Sequence, residues 1–179
     1  MSAKDDLEKA LSDVDELIRA HEVLTGGGEG GRGAPINRQG QAISRAAIVI
    51  IVANLEVFIE ECFEAAAFKF YKPADPKGLA VLFSETSRKL NHPSLLKVDL
   101  LFFNVGIHHI SGHIRWASQS NAGFKNKYNA LLEMRGRIAH GRKPNVRLDY
   151  VRKCVAFVKK FAERLEANVN NHMPSDSDG

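Results

Sequence analysis

Cysteine is scarce in this chain: Cys62 and Cys154 are the only two in 179 residues. They lack the paired spacing of a metal knuckle, and each sits in an apolar helical pattern. The sequence therefore assigns two reduced, buried thiols and neither a disulfide framework nor a cysteine nucleophile. A basic, apolar leader is also missing, since the chain opens Met-Ser-Ala-Lys-Asp-Asp-Leu-Glu, which argues against a signal peptide. The longest uninterrupted apolar run, Ala46 to Ala53, falls far short of the roughly 18 residues of a membrane span. The expectation is a cytoplasmic protein with no membrane partner. Alternating strand patterns and internal repeats are absent too, which removes sheet-based and solenoid classes.

What remains is an ordinary soluble composition, 44% hydrophobic and 26% charged, with enough length for one real core. Helical periodicity dominates. Leu7, Ala10, Leu11, Val14, Leu17 and Ile18 recur at three- and four-residue steps and mark a first amphipathic helix. It ends at Thr25-Gly-Gly-Gly-Glu-Gly-Gly-Arg-Gly-Ala-Pro35. No strand precedes that stretch and no Gly-Lys-Ser/Thr follows it, so a flexible linker over 25–35 is the better account than a phosphate loop.

A long helix is expected from about Ile36 to Tyr71, apolar nearly all round between Arg45 and Glu61. Such a helix has to be covered on most sides, as the spine of the fold or in a dimer interface. Two shorter helices follow at Leu79 to Leu90 and Ser94 to Val105, split at His92-Pro93. The stretch Gly106 to Gly123 is irregular, with a short helix expected around Ile114 to Ala117. Another helix runs from Gly123 to about Gly141. Leu148, Val151, Val155, Val158, Phe161, Ala162 and Leu165 mark a final amphipathic helix. The class is all-α, an antiparallel helical bundle with one long central helix and a long C-terminal helix. The chain reads as a single domain over 1–170 with a disordered tail at 171–179.

Charge is uneven although the net value is only +4. Residues 1–24 hold three basic and seven acidic side chains, whereas 131–165 hold ten basic against Glu133, Asp149 and Glu163. A basic surface of that kind faces a polyanion, or is simply a solvated helix face. Inside it lies Leu-Leu-Glu-Met-Arg135-Gly-Arg-Ile-Ala-His140-Gly141. Arginine grips a phosphate through paired hydrogen bonds, and histidine moves protons near neutral pH. Five residues along a helix is a rotation of about 140°, so the two side chains do not share a face of an undisturbed helix. Either the helix ends before His140 and the ring swings back, or a second subunit supplies the complement.

The apolar helix with Asn54-Leu-Glu56-Val-Phe-Ile-Glu60-Glu61, then Leu-Leu-x-x-Arg135-x4-His140-Gly141 and a final helix, resembles the HEPN superfamily. It is most similar to the RiboL-PSP-HEPN-like branch, over roughly Ile36 to Val169. The resemblance implies a helical domain that dimerises so that two motifs face one another. It implies metal-independent endoribonuclease activity in a toxin–antitoxin, phage-defence or RNA-processing setting, or else an inactive module for RNA or protein binding. RNA, a second copy and an antitoxin or defence-system protein are the partners it suggests; no cofactor and no metal are expected. Arg135 and His140 would be catalytic, with Glu56 orienting one of them. Arg137, Arg142 and Lys143 would track phosphates. Gly136 departs from the polar residue, often asparagine, that frequently follows the arginine. Arg142 stands where some toxin members carry a modifiable tyrosine.

Other constellations are weaker. His109 and His113 are four apart, but Ile110 and Gly112 spoil a helical metal motif, and these histidines with His108 read as incidental loop residues. Trp116, beside Arg115 and followed by Phe124 and Tyr128, is either a base-stacking platform or, preferably, an anchor for the irregular segment. Ser111 and Ser118 have no nucleophile-elbow context.

Overall fold

The structure is a computed structural model that describes residues 2–26, 38–71, 85 and 93–172. Among these residues it is all-α, with no strand and one isolated bridge between Trp116 and Gln119. The helices are α1 (Ala3–Ala10), α2 (Ser12–Thr25), α3 (Arg38–Tyr71), α4 (Leu95–Phe103), α5 (Asn121–Ala139) and α6 (Leu148–His172). The helix expected over Leu79 to Leu90 and nearly all of the glycine-rich linker lie outside the described residues. The chain forms two compact units, one of Met1–Leu55 with Tyr128–Lys160 and one of Glu56–Lys127 with Phe161–Gly179. Helices α3, α5 and α6 each contribute residues to both.

In the first unit, the helix expected as one piece is two, α1 and α2, joined at Leu11. The interruption is minimal, since Leu11 keeps right-handed helical angles and its N–H still bonds Leu7 O at 2.9 Å. Ser2 starts α1 with a capping box. Its hydroxyl accepts from Asp5 N–H at 3.3 Å while the Asp5 carboxylate accepts from Ser2 N–H at 2.9 Å. Asn54 of α3 donates to Ala10 O at 3.2 Å, meeting one of the carbonyls that the end of α1 leaves open. Leu7, Leu11 and Val14 are buried, as are Ala47, Ile48, Ile51, Val52 and Leu55 of α3. Gly40 lets α3 come close to α2, because a Cβ there would lie 2.9 Å from His21 Nε2. Arg152 of α6 pairs with Glu22 of α2.

In the second unit, aromatic side chains build the core. Phe161 of α6 stacks on Phe124 of α5 at 5.5 Å between ring centres and meets Phe58 of α3 edge-on at 6.5 Å. Phe63 meets Phe102 of α4 edge-on at 6.0 Å. Helix α4 starts on the Ser94 hydroxyl and ends at Gly106 (φ 78°), with Ile107 N–H returning to Phe102 O at 3.1 Å. The expected helix at Ile114 to Ala117 is not formed. A 3-10 turn occupies Ile110–His113 instead, Ile114 is extended, and Trp116 and Gln119 close a tight turn. Polar groups pin this segment, which periodicity cannot reveal. Asp99 accepts from both the N–H and the hydroxyl of Ser111 at 2.8 Å, and the Asn121 side chain donates to Ser111 O and Ile114 O at 2.7 and 3.0 Å. Trp116 packs edge-on against Phe124 at 6.2 Å, which is the anchoring role.

Helix α3 is long and apolar enough to cross a membrane by length and composition, with mean hydropathy 2.0 over an 18-residue stretch that is 44% buried within the protein. The core helix of a bundle passes the same test, so the property by itself does not decide for a membrane. A search for uninterrupted apolar runs misses it, because Asn54 and Glu56 break the run without lowering the average much. Helix α6 extends to His172, two residues into the tail expected over 171–179.

Candidate active site

The Arg135/His140 motif lies wholly within the first unit, at the C-terminal end of α5 and the turn that follows. Tyr128, Leu131 and Leu132 form the buried stripe of this part of α5. Arg135 follows Leu131 by one helical turn and is half-buried at the border of that stripe. Its guanidinium makes no ion pair or hydrogen bond among the described residues. A half-buried arginine with no partner is suited to taking an anion.

The helix end has a definite geometry. His140 N–H bonds Gly136 O at 3.0 Å, so the backbone is still in helical register at the histidine. Gly141 then adopts φ 75°, its N–H bonding Ile138 O at 3.0 Å while Arg142 N–H returns to Arg137 O at 3.0 Å. Those two bonds are the Schellman pattern, and they need the left-handed glycine. The helix itself ends at Ala139, one residue before His140, and the left-handed Gly141 closes the turn. On an ideal helix positions 135 and 140 differ by about 140°, so either the ring swings back from this helix end or a second subunit supplies the complement. His140 is exposed. Arg137, Arg142 and Lys143 are exposed as well, and the Schellman turn folds the backbone of Arg142 back over that of Arg137. Cationic side chains gathered at a helix C-terminus also offset the partial negative charge of its last carbonyls.

The loop after the motif is fixed by a residue that sequence reading passed over. Gln41 of α3 donates from Nε2 to Val146 O at 3.2 Å and accepts from Val146 N–H through Oε1 at 2.9 Å. This side chain thus imitates a strand partner for one buried residue of the 140–147 segment. A glutamine near the start of a long helix carries no signal of that role, because its partner lies 105 positions away.

Glu56 belongs to the second unit. It is half-buried, and its Oε1 is buried with no hydrogen-bond partner among the described residues. A buried carboxylate oxygen without a donor is costly, and such groups mark sites where something else is to be bound or oriented. Glu56 therefore stays a candidate on its own observation.

The cysteines behave as structural thiols. Burial pushes the Cys62 thiol far above its ordinary range, with the carboxylates of Glu166 and Glu61 adding to the effect. Burial also pushes Cys154 up to about 11, against a hydrogen bond from Tyr150 that pulls it down. Neither offers a thiolate near neutral pH. No cluster of three or more metal-ligating side chains occurs among the described residues.

An all-α chain whose helix ends in an arginine, four intervening residues, a histidine and a left-handed glycine defines the class. The RiboL-PSP-HEPN family model matches residues 5–171, and the chain belongs to that family. No curated protein and no solved structure matches it. Family membership points to ribonuclease or nucleotide-binding function.

Proposed function

We propose that the protein is a metal-independent endoribonuclease acting as a homodimer. The observation that carries the reading is an Arg135 guanidinium with no partner among the described residues, followed in sequence by an exposed His140 at a glycine-terminated helix end. On an ideal helix these two positions differ by about 140°, and in this reading a second copy supplies the complement. The substrate's 2′-hydroxyl attacks the adjacent phosphorus as one imidazole removes its proton. The bond to the 5′-oxygen breaks as a second imidazole returns a proton to the leaving oxygen. Arg135 holds the scissile phosphate and stabilises charge on its non-bridging oxygens, an effect worth about 3–4 kcal/mol of barrier. Glu56 orients the histidine or the arginine, and Arg137, Arg142 and Lys143 hold flanking phosphates. An RNA substrate places the protein in the cytoplasm, with an antitoxin or defence-system protein as the partner that restrains it.

The products are a 2′,3′-cyclic phosphate and a 5′-hydroxyl, formed in the presence of a chelator. RNA carrying 2′-O-methyl groups and DNA lack the nucleophile and survive. Cleavage of either at the rate of unmodified RNA refutes this chemistry. Gly136 favours a second reading, an inactive module that binds RNA or protein through the same basic surface, because it leaves no side chain beside Arg135. His140→Ala separates the two: the enzyme loses cleavage and keeps RNA binding, whereas the module shows no cleavage to lose.

A further inference from the structure

In the second unit, two histidines far apart in sequence share one small site that the proposed nuclease chemistry does not use. His113 ends the 3-10 turn and His172 is the last residue of α6, and their ring centres are 5.7 Å apart with planes inclined at 48°. We propose that His113 and His172 form a two-imidazole site for a divalent transition metal of the zinc, nickel or copper class, with water completing the coordination shell.

Three observations support the site. The first is spacing. With Zn–N bonds of about 2.0–2.1 Å and a further ~1.1 Å from nitrogen to ring centre, two imidazoles in a tetrahedral shell have centres roughly 5 Å apart, opening to about 6.4 Å towards a linear arrangement. The observed 5.7 Å between ring centres lies within that window. The second is the ring assignment. His172 Nδ1 sits 2.7 Å from Asn168 O, so this nitrogen carries the proton and Nε2 is the lone-pair donor. A ligand histidine that gives its other N–H to a backbone carbonyl is the usual second layer of metal sites, fixing both tautomer and orientation. The third is rigidity on the opposite side. The backbone flanking His113 is pinned by Asp99 at Ser111 and by Asn121 at both Ser111 and Ile114. The His113 ring itself makes no hydrogen bond among the described residues. Both rings are exposed, so an ion reaches them directly.

Imidazole nitrogens suit borderline metals and not Mg²⁺ or Ca²⁺, which take oxygen ligands. Bound metal would tie the end of α6 to the 3-10 turn. Calorimetric titration of the full chain with Zn²⁺ in a non-chelating buffer at pH 7.5 tests this. About one equivalent should bind, Mg²⁺ should give no heat, and His113→Ala and His172→Ala should each weaken binding by about tenfold or more. A variant with both His108 and His109 replaced by alanine should bind as the wild type does. Zinc should also slow amide exchange in the last turn of α6, a readout independent of heats. Absence of zinc binding, binding unchanged in both single variants, or binding lost only when His108 and His109 are removed overturns the assignment.

Discussion

Replacement of Gln41 by methionine tests the account of the motif loop most sharply. The substitution keeps the length and most of the volume of the side chain and removes both polar atoms. In the native structure Gln41 forms two bonds to the backbone of one residue, Nε2 to Val146 O at 3.2 Å and Val146 N–H to Oε1 at 2.9 Å, and Val146 is only 1% exposed. A neutral hydrogen bond contributes about 0.5–1.5 kcal/mol net, and stranding a buried partner costs about 1–3 kcal/mol. Two bonds to the backbone of a buried residue therefore place the loss at about 2–4 kcal/mol. For a chain of this size that lowers Tm by roughly 5–12 °C. Urea or thermal denaturation followed by circular dichroism reads it directly, and exchange of the Val146 amide should accelerate in step. Gln41→Glu adds a discriminating arm. The introduced carboxylate still accepts from Val146 N–H, but it faces Val146 O without a proton to donate. Once protonated, the carboxyl restores both bonds, so its folded-state pKa lies above the unfolded value. Its stabilisation is complete below the unfolded pKa, about 4.3, and is lost as pH rises through the folded pKa. A Gln41→Met protein within about 0.5 kcal/mol of wild type, or a Gln41→Glu protein whose deficit is the same at pH 4 and pH 7, would refute the clamp.

The remaining predictions are simpler. Phe161→Ala removes a ring that contacts both Phe58 and Phe124 and should cost about 3–5 kcal/mol in denaturant unfolding. Gly136→Ala should raise stability by about 0.5–1 kcal/mol, since a Cβ there meets nothing within 4 Å and the backbone is helical; a loss of stability would contradict the open surroundings. Cys154, held at about 11, and the more deeply buried Cys62 should react with a thiol reagent at pH 8 roughly 100-fold slower in native than in urea-unfolded protein. Hydrogen bonds from Ser2, the backbone N–H first, hold the Asp5 carboxyl below its ordinary value, so the cap is intact above that value and is lost as pH falls through the depressed one. Proton titration by NMR should find the Asp5 pKa moved upward in Ser2→Ala.

The sequence by itself determined the helical class, the long helix (expected from about Ile36 to Tyr71), the final helix and the Arg135-x4-His140-Gly141 signature. Each of these is written in local spacing: apolar residues at three- and four-residue steps for the helices, a glycine after the last turn for the stop. Local spacing also explains what was misread. The single residue Leu11 interrupts the first helix without breaking its periodicity. The 3-10 turn at Ile110–His113 is set by Asp99 and Asn121, which lie outside the segment. Tertiary structure alone decided that Gln41 braces Val146 and that His113 meets His172, and the competition for the last carbonyls of its helix decided how the chain turns at Gly141. These are contacts between groups distant along the chain, or the outcome of hydrogen bonds competing for the same carbonyls. No run of neighbouring residues records that competition, because its winner depends on which partner the folded chain brings within about 3 Å.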